Sequence, residues 1–124
     1  MDTKEAVDRY YEAWTSHAGD MSGVPLADDF VFVGPVSFFD SAAGFRAMAD
    51  QFGPLAQDFR VRRQFFDGDL VCSIVEWEMP PIPGTTTAAD LLEVRDGVLV
   101  RSEVIFDAEE LRKAIASGLV NGQR

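Results

Sequence analysis

The sequence predicts an α+β domain in which a curved antiparallel sheet wraps around helices placed early in the chain. Three observations carry this. Residues 4–18 repeat apolar side chains at three- and four-residue steps, the period of a helix with one buried side. Residues 58–67, 70–79, 86–95 and 98–106 instead alternate with the period of a strand. Asp67-Gly68-Asp69 and Asp96-Gly97 separate these strands in pairs, as hairpin turns do. With 124 residues the chain reads as a single domain over 1–124, because two domains would each lack a sufficient core.

Each element follows in order. On the first helix Val7, Tyr10, Tyr11, Trp14 and then His17 or Ala18 share a side, and Gly19 supplies the C-terminal stop. Residues 20–27 have room for a second, short helix. Asp28–Gly34 reads as a strand with Phe30 and Phe32 on one face and Val31 and Val33 on the other, apolar on both sides. Asp40 or Ser41 caps the next helix, whose stripe is Ala42, Phe45, Met48, Ala49, Phe52 and Leu55, interrupted by Gly53-Pro54. In 58–67, Phe59, Val61, Arg63 and Phe65 face away from Arg60, Arg62, Gln64 and Phe66. In 70–79, Val71, Ser73, Val75, Trp77 and Met79 oppose Leu70, Cys72, Ile74, Glu76 and Glu78. The prolines of PPIPGTTT forbid regular ladder bonding and mark a rigid turn before the last hairpin. Asp107 opens an extra C-terminal helix with Glu110 as its capping-box partner, Leu111 and Ile115 as its apolar side and Gly118 as its end.

Composition narrows the function classes. Eleven basic against 21 acidic residues give a net charge of -10, which opposes binding to nucleic acid or to an anionic membrane surface. No apolar run approaches the length of a membrane span, and the charged N-terminus has no signal-peptide core. A single cysteine fits a reducing, cytoplasmic location. One histidine and one cysteine oppose a structural zinc site, so no metal is expected. No nucleophile elbow, phosphate loop, zinc-protease or dinucleotide motif is present, and no cofactor is expected.

One residue breaks the pattern. Asp90 shares a strand face with Ala88, Leu92 and Val94. Burial there raises its pKa, so it can donate a hydrogen bond when protonated or take a proton when ionised. The competing reading is an acid at the rim, exposed or paired to Arg63. Tyr10 and Trp14 lie one turn apart, as a cavity wall whose phenol reaches Asp90 or a ligand, or as ordinary core. His17 is either a base at the rim or a partner of the helix dipole. Phe30, Phe32, Phe52, Val75, Trp77, Val104 and Phe106 line a cavity or fill it, and Ser102 is a small polar residue on the same inner face. Glu76, Glu78, Glu93 and Glu103 fall on the outer face beside Arg60, Arg62, Arg95 and Arg101.

Three stretches, AVDRYYEAW, LADDFVFVGPV and AADLLEVRDGVLVRSEVIF, framing residues 3–106, resemble the SnoaL-like polyketide cyclase and ketosteroid isomerase group of the nuclear transport factor 2-like superfamily. The resemblance implies a cone-shaped sheet with an apolar pocket for a small apolar or aromatic organic ligand. It also implies a homodimer through the outer face of the sheet. In it Asp90 matches the acid on the penultimate strand and Tyr10 the first-helix tyrosine, which in the isomerases donate hydrogen bonds to a developing oxyanion. Gly34 stands where those enzymes carry their catalytic aspartate, and a glycine moves no proton. The expected function is small-molecule binding with cofactor-free isomerase, cyclase or dehydratase chemistry, in which Asp90, Tyr10 and His17 are the catalytic candidates. The alternatives are a non-catalytic ligand-binding or dimerisation module and, third, epoxide hydrolysis.

Overall fold

The Asp2 carboxylate accepts the Glu5 N–H at 2.8 Å and starts α1 (Thr3–Ser16), so the first helix forms where its cap and its apolar stripe coincide. The computed structural model describes residues 1–118. After α1 come β1 (Leu26–Val33), β2 (Phe38–Phe39), α2 (Ala42–Phe52), β3 (Gln57–Asp67), β4 (Leu70–Glu78), β5 (Thr85–Arg95), β6 (Val98–Ile105) and α3 (Glu109–Ala116). The strands form one sheet in the order β2-β1-β6-β5-β4-β3. Every pairing is antiparallel except β1 with β6, which is parallel. The α+β class with an early helical layer and an extra C-terminal helix is as the sequence predicts.

Four local expectations are corrected. Residues 20–27 form no helix. The Asp20 carboxylate caps the Ser22 N–H at 2.9 Å in a turn, and Pro25 leads into β1, its carbonyl accepting the Leu99 N–H at 2.8 Å. The second helix stops at Phe52, and Leu55 is exposed rather than part of the stripe. The C-terminal helix has Ala108 at its N-cap with no side-chain cap; Asp107 instead accepts the Glu109 N–H at 3.1 Å. The alternation in β3 does not run through, because its register against β4 shifts between Val61 and Arg63. One extra residue exchanges the two faces of everything after it. Val61 and Gln64 therefore pair with the inward Val75 and Ser73, while Arg63 pairs with the outward Ile74 and is exposed.

The core lies between the concave sheet face and α1 with α2. Tyr10, Phe30, Phe45, Leu92 and Leu99 are fully buried in it. The two helices meet at their ends through glycine. A Cβ on Gly53 would stand 1.9 Å from the Ala18 carbonyl oxygen, and one on Gly19, at φ +85°, 2.3 Å from that of Ala49. Only glycine permits this approach and that dihedral together.

Helix α3 buries Leu111 and Ala114 and half-buries Ile115, and Arg112 donates to the Pro35 carbonyl at 2.9 Å. Truncation after Phe106 should remove about 1–3 kcal/mol of apolar burial and lower Tm by several degrees. Calorimetry checks this; an unchanged Tm would show that α3 does not support the fold.

Candidate functional site

Asp90 sits mid-strand in β5, on the face buried by the alternation of Ala88, Leu92 and Val94, and is 3% exposed. Its neighbours in register are Ser73 on β4 and Val104 on β6. Tyr11 donates to Oδ2 at 2.8 Å and Ser102 donates to Oδ1 at 2.9 Å. Burial pushes the Asp90 carboxyl up to about 6, against the two hydroxyls, which favour the anion and pull it down. A second tier supports the first, with the Gln64 side-chain amide donating to Ser73 Oγ at 3.2 Å. Among the described residues no buried side-chain nitrogen or oxygen lacks a partner.

The phenol bonded to Asp90 is thus Tyr11, not the expected Tyr10. Consecutive helical residues point about 100° apart. Tyr10 turns toward α2, its ring stacked on Phe45 at 6.1 Å, and Tyr11 turns toward the sheet, with the two rings edge-to-face at 5.2 Å. Burial first, and the Asp90 charge second, hold both phenols well above their ordinary range, so both stay protonated donors. Tyr10 lines the cavity beside Asp90.

The cavity of about 80 Å³ runs from Asp90 toward the mouth. Trp14, Phe32, Phe52, Val75, Trp77, Val104 and Phe106 line it. Met48, Phe59, the Gly34–Ser37 loop, Leu111 and Ile115 also line it. Phe59 was legible only as one residue of an alternating strand, and nothing in the pattern placed α3 over the mouth. Trp14, Phe59 and Trp77 stack in a column, at 5.6 Å and 18° and then 5.8 Å and 5°. Phe52 and Phe106 meet Trp77 edge-on. Two expected lining residues lie elsewhere: Phe30 is core packed on Phe45 at 4.9 Å, and Ser102 stands behind Asp90. His17 ends α1 in solvent, 3.3 Å from Glu12 and outside the cavity, because the helix terminates one residue before it. The β3 bulge carries Arg63 away from Asp90.

The sequence signature of the SnoaL-like domain matches residues 7–102. The chain belongs to the SnoaL-like family. A structure from Kribbella flavida is similar at 26% identity and a TM-score of 0.78, covering 92% of this chain and 93% of that one. A steroid delta-isomerase from Pseudomonas aeruginosa is 21% identical with a TM-score of 0.72, covering 94% and 93%. An epoxide hydrolase of M. tuberculosis is 19% identical with a TM-score of 0.70, covering 94% and 91%. These last two likenesses, like one to an NTF2-like protein from Cytophaga hutchinsonii at 20% identity and a TM-score of 0.73, covering 90% and 96%, show the fold alone. A comparison with curated proteins finds no match. Among the described residues of this SnoaL-like protein, no helix is long and apolar enough to cross a membrane.

Two measurements test the site. An acid whose folded pKa is raised is favoured by the fold in its protonated form. That advantage is fully present below the ordinary value of 3.8 and is lost as pH rises through about 6. Relative to wild type, Asp90→Asn should therefore gain about 2 kcal/mol between pH 4 and pH 7.5, read by denaturant titration at both pH values. Tyr11→Phe removes a donor to the anion and should raise the Asp90 pKa further, whereas Tyr10→Phe should move it less; carboxyl NMR titration distinguishes the two.

Proposed function

We propose that the cavity binds a small, mostly apolar organic molecule and that Asp90 moves a proton on it, in cofactor-free chemistry of the isomerase, cyclase or dehydratase type. The observation that carries this reading is that Asp90 is, among the described residues, the only acidic or basic side chain lining the cavity. A carboxyl near 6 is mostly ionised at neutral pH yet basic enough to accept a proton and return it. In the proposed cycle the carboxylate takes a proton from carbon next to a substrate carbonyl and delivers it to another position. The Tyr10 phenol donates a hydrogen bond to the oxyanion that develops. Tyr11 and Ser102 are positioning residues that aim the carboxylate.

Gly34 supports a second reading, ligand binding without turnover, because it lines the cavity where the family resemblance places the isomerases' base. Epoxide hydrolysis with two acids and an arginine has less support, since Arg63 faces outward and, among the described residues, no second acid lines the cavity.

Exchange of the α-protons of cyclohexanone with deuterated water, followed by NMR, tests the catalytic reading. Wild type should accelerate exchange with an inflection near pH 6, and Asp90→Asn should lose about 100-fold or more. Saturable binding without acceleration would favour the second reading.

The same reading includes a homodimer. On the outer face, the rows Phe65–Cys72–Leu91 and Ile74–Ala89–Ile105 form an apolar band that Arg63, opposite Ile74, ends on one side, and Phe65, Leu91 and Ile105 are exposed. Arg60 with Glu76 and Glu78 borders it on one side and Arg101 with Glu103 on the other. A face carrying both signs around an apolar band can match itself about a two-fold axis. Light scattering at micromolar concentration should give twice the chain mass of 13.7 kDa; a monomer mass would overturn the dimer.

A further inference from the structure

Resting on the second reading above, ligand binding without turnover, the chemical class of the ligand follows from a charge that the protein does not balance. The groups that face Asp90 are Tyr10 and Tyr11 from α1, Ser102 from β6 and Ser73 from β4. Both phenols are held protonated, and neither serine ionises, so an ionised Asp90 leaves the site with one net negative charge. No lysine, arginine or histidine among the described residues lines the cavity. Buried ion pairs and buried neutral acids are common solutions; a buried carboxylate with hydroxyl partners alone is left asking for a counter-ion.

The walls suit one. Beside Asp90 the cavity is bounded by Trp14, Phe52, Phe59, Trp77 and Phe106, whose rings take an apolar body. The groove that shares Trp77, Phe106 and Leu111 with the cavity also carries Asp107, Glu109 and Glu110; Lys113 pairs with both glutamates, and Arg112 donates to the carbonyl of Pro35 at the cavity wall. The net charge of -10 draws cations toward the chain as a whole and repels anions. The cavity of about 80 Å³ is open at its mouth, so a ligand with its polar group at Asp90 need not be wholly enclosed.

We propose that the site takes a small organic amine in its ammonium form, the charged nitrogen donating to Asp90 and the apolar body lying among the rings. The ammonium supplies the missing counter-ion, and the carboxylate in turn is held ionised by it. A neutral alcohol of the same shape reaches the same oxygen but leaves the charge unbalanced.

Benzylamine and benzyl alcohol, near-isosteres of one another, make the test by calorimetric and NMR titration. At pH 7.5 benzylamine should bind at least tenfold more tightly than benzyl alcohol and should shift the signals of Trp77 and Phe59. Its affinity should fall about tenfold at pH 5, where Asp90 is mostly protonated, while the alcohol changes little. Asp90→Asn should abolish the preference for the amine and keep the alcohol. Equal or tighter binding of the alcohol at pH 7.5 would overturn the cation and leave the apolar cavity standing. Amine binding undiminished in Asp90→Asn would place it elsewhere on the acidic surface and overturn the proposal. Binding of neither probe would overturn this inference together with the ligand-binding reading.

Discussion

The constraint on which the rest of the structure depends is the burial of one carboxylate. Asp90 cannot be taken out of water without donors, and the two it has come from opposite sides: Tyr11 from the first helix and Ser102 from the neighbouring strand. These bonds tie α1, β5 and β6 to one geometry. A slip of one residue in β5 would put Asp90 on the outer face and strand two buried hydroxyls. Ser73 opposite Asp90, with Gln64 behind it, extends the same demand to β4 and β3. The interior is therefore polar at one depth only, and that depth is the floor of the cavity.

Around this floor the aromatic residues decide how much space is left. Trp14, Phe59 and Trp77 stack as a column drawn from a helix and two strands, with Phe52 and Phe106 packed edge-on against it. Stacked and edge-to-face contacts are favourable in themselves and fix ring orientations. The rings thus frame a narrow space with rigid walls, and α3 covers it through Leu111 and Ile115. Tyr10 joins the two regions, packed on Phe45 yet bordering the cavity beside Asp90.

A stable acid in apolar surroundings strains the fold at neutral pH, because its ionised form is the one the interior disfavours. Such strain is kept where a site uses it. Among the described residues no basic side chain lines the cavity, which separates this site from an ordinary buried ion pair.

Much was legible from the sequence alone. Periodicity is local, so the helix of Val7, Tyr10 and Trp14, the hairpins at Gly68 and Gly97, and the inward placement of Ser73, Val75, Trp77 and Asp90 could all be read from neighbours along the chain. Asp90 stood out for the same reason: an acid among apolar alternates is a local anomaly. Only the tertiary structure decided which tyrosine meets it, because two consecutive residues of a helix covered on two sides can both be buried, and the choice depends on how α1 is rotated over the sheet. The β3 bulge, which sent Arg63 out and Gln64 in, leaves no mark in the alternation of residue types. The exclusion of His17 depended on the helix ending one residue earlier, and the roof of the cavity on where α3 docks. Side-chain pattern determines which face of an element is buried; which buried groups meet across elements is set by rotation, register and closure, and these are properties of the assembled fold.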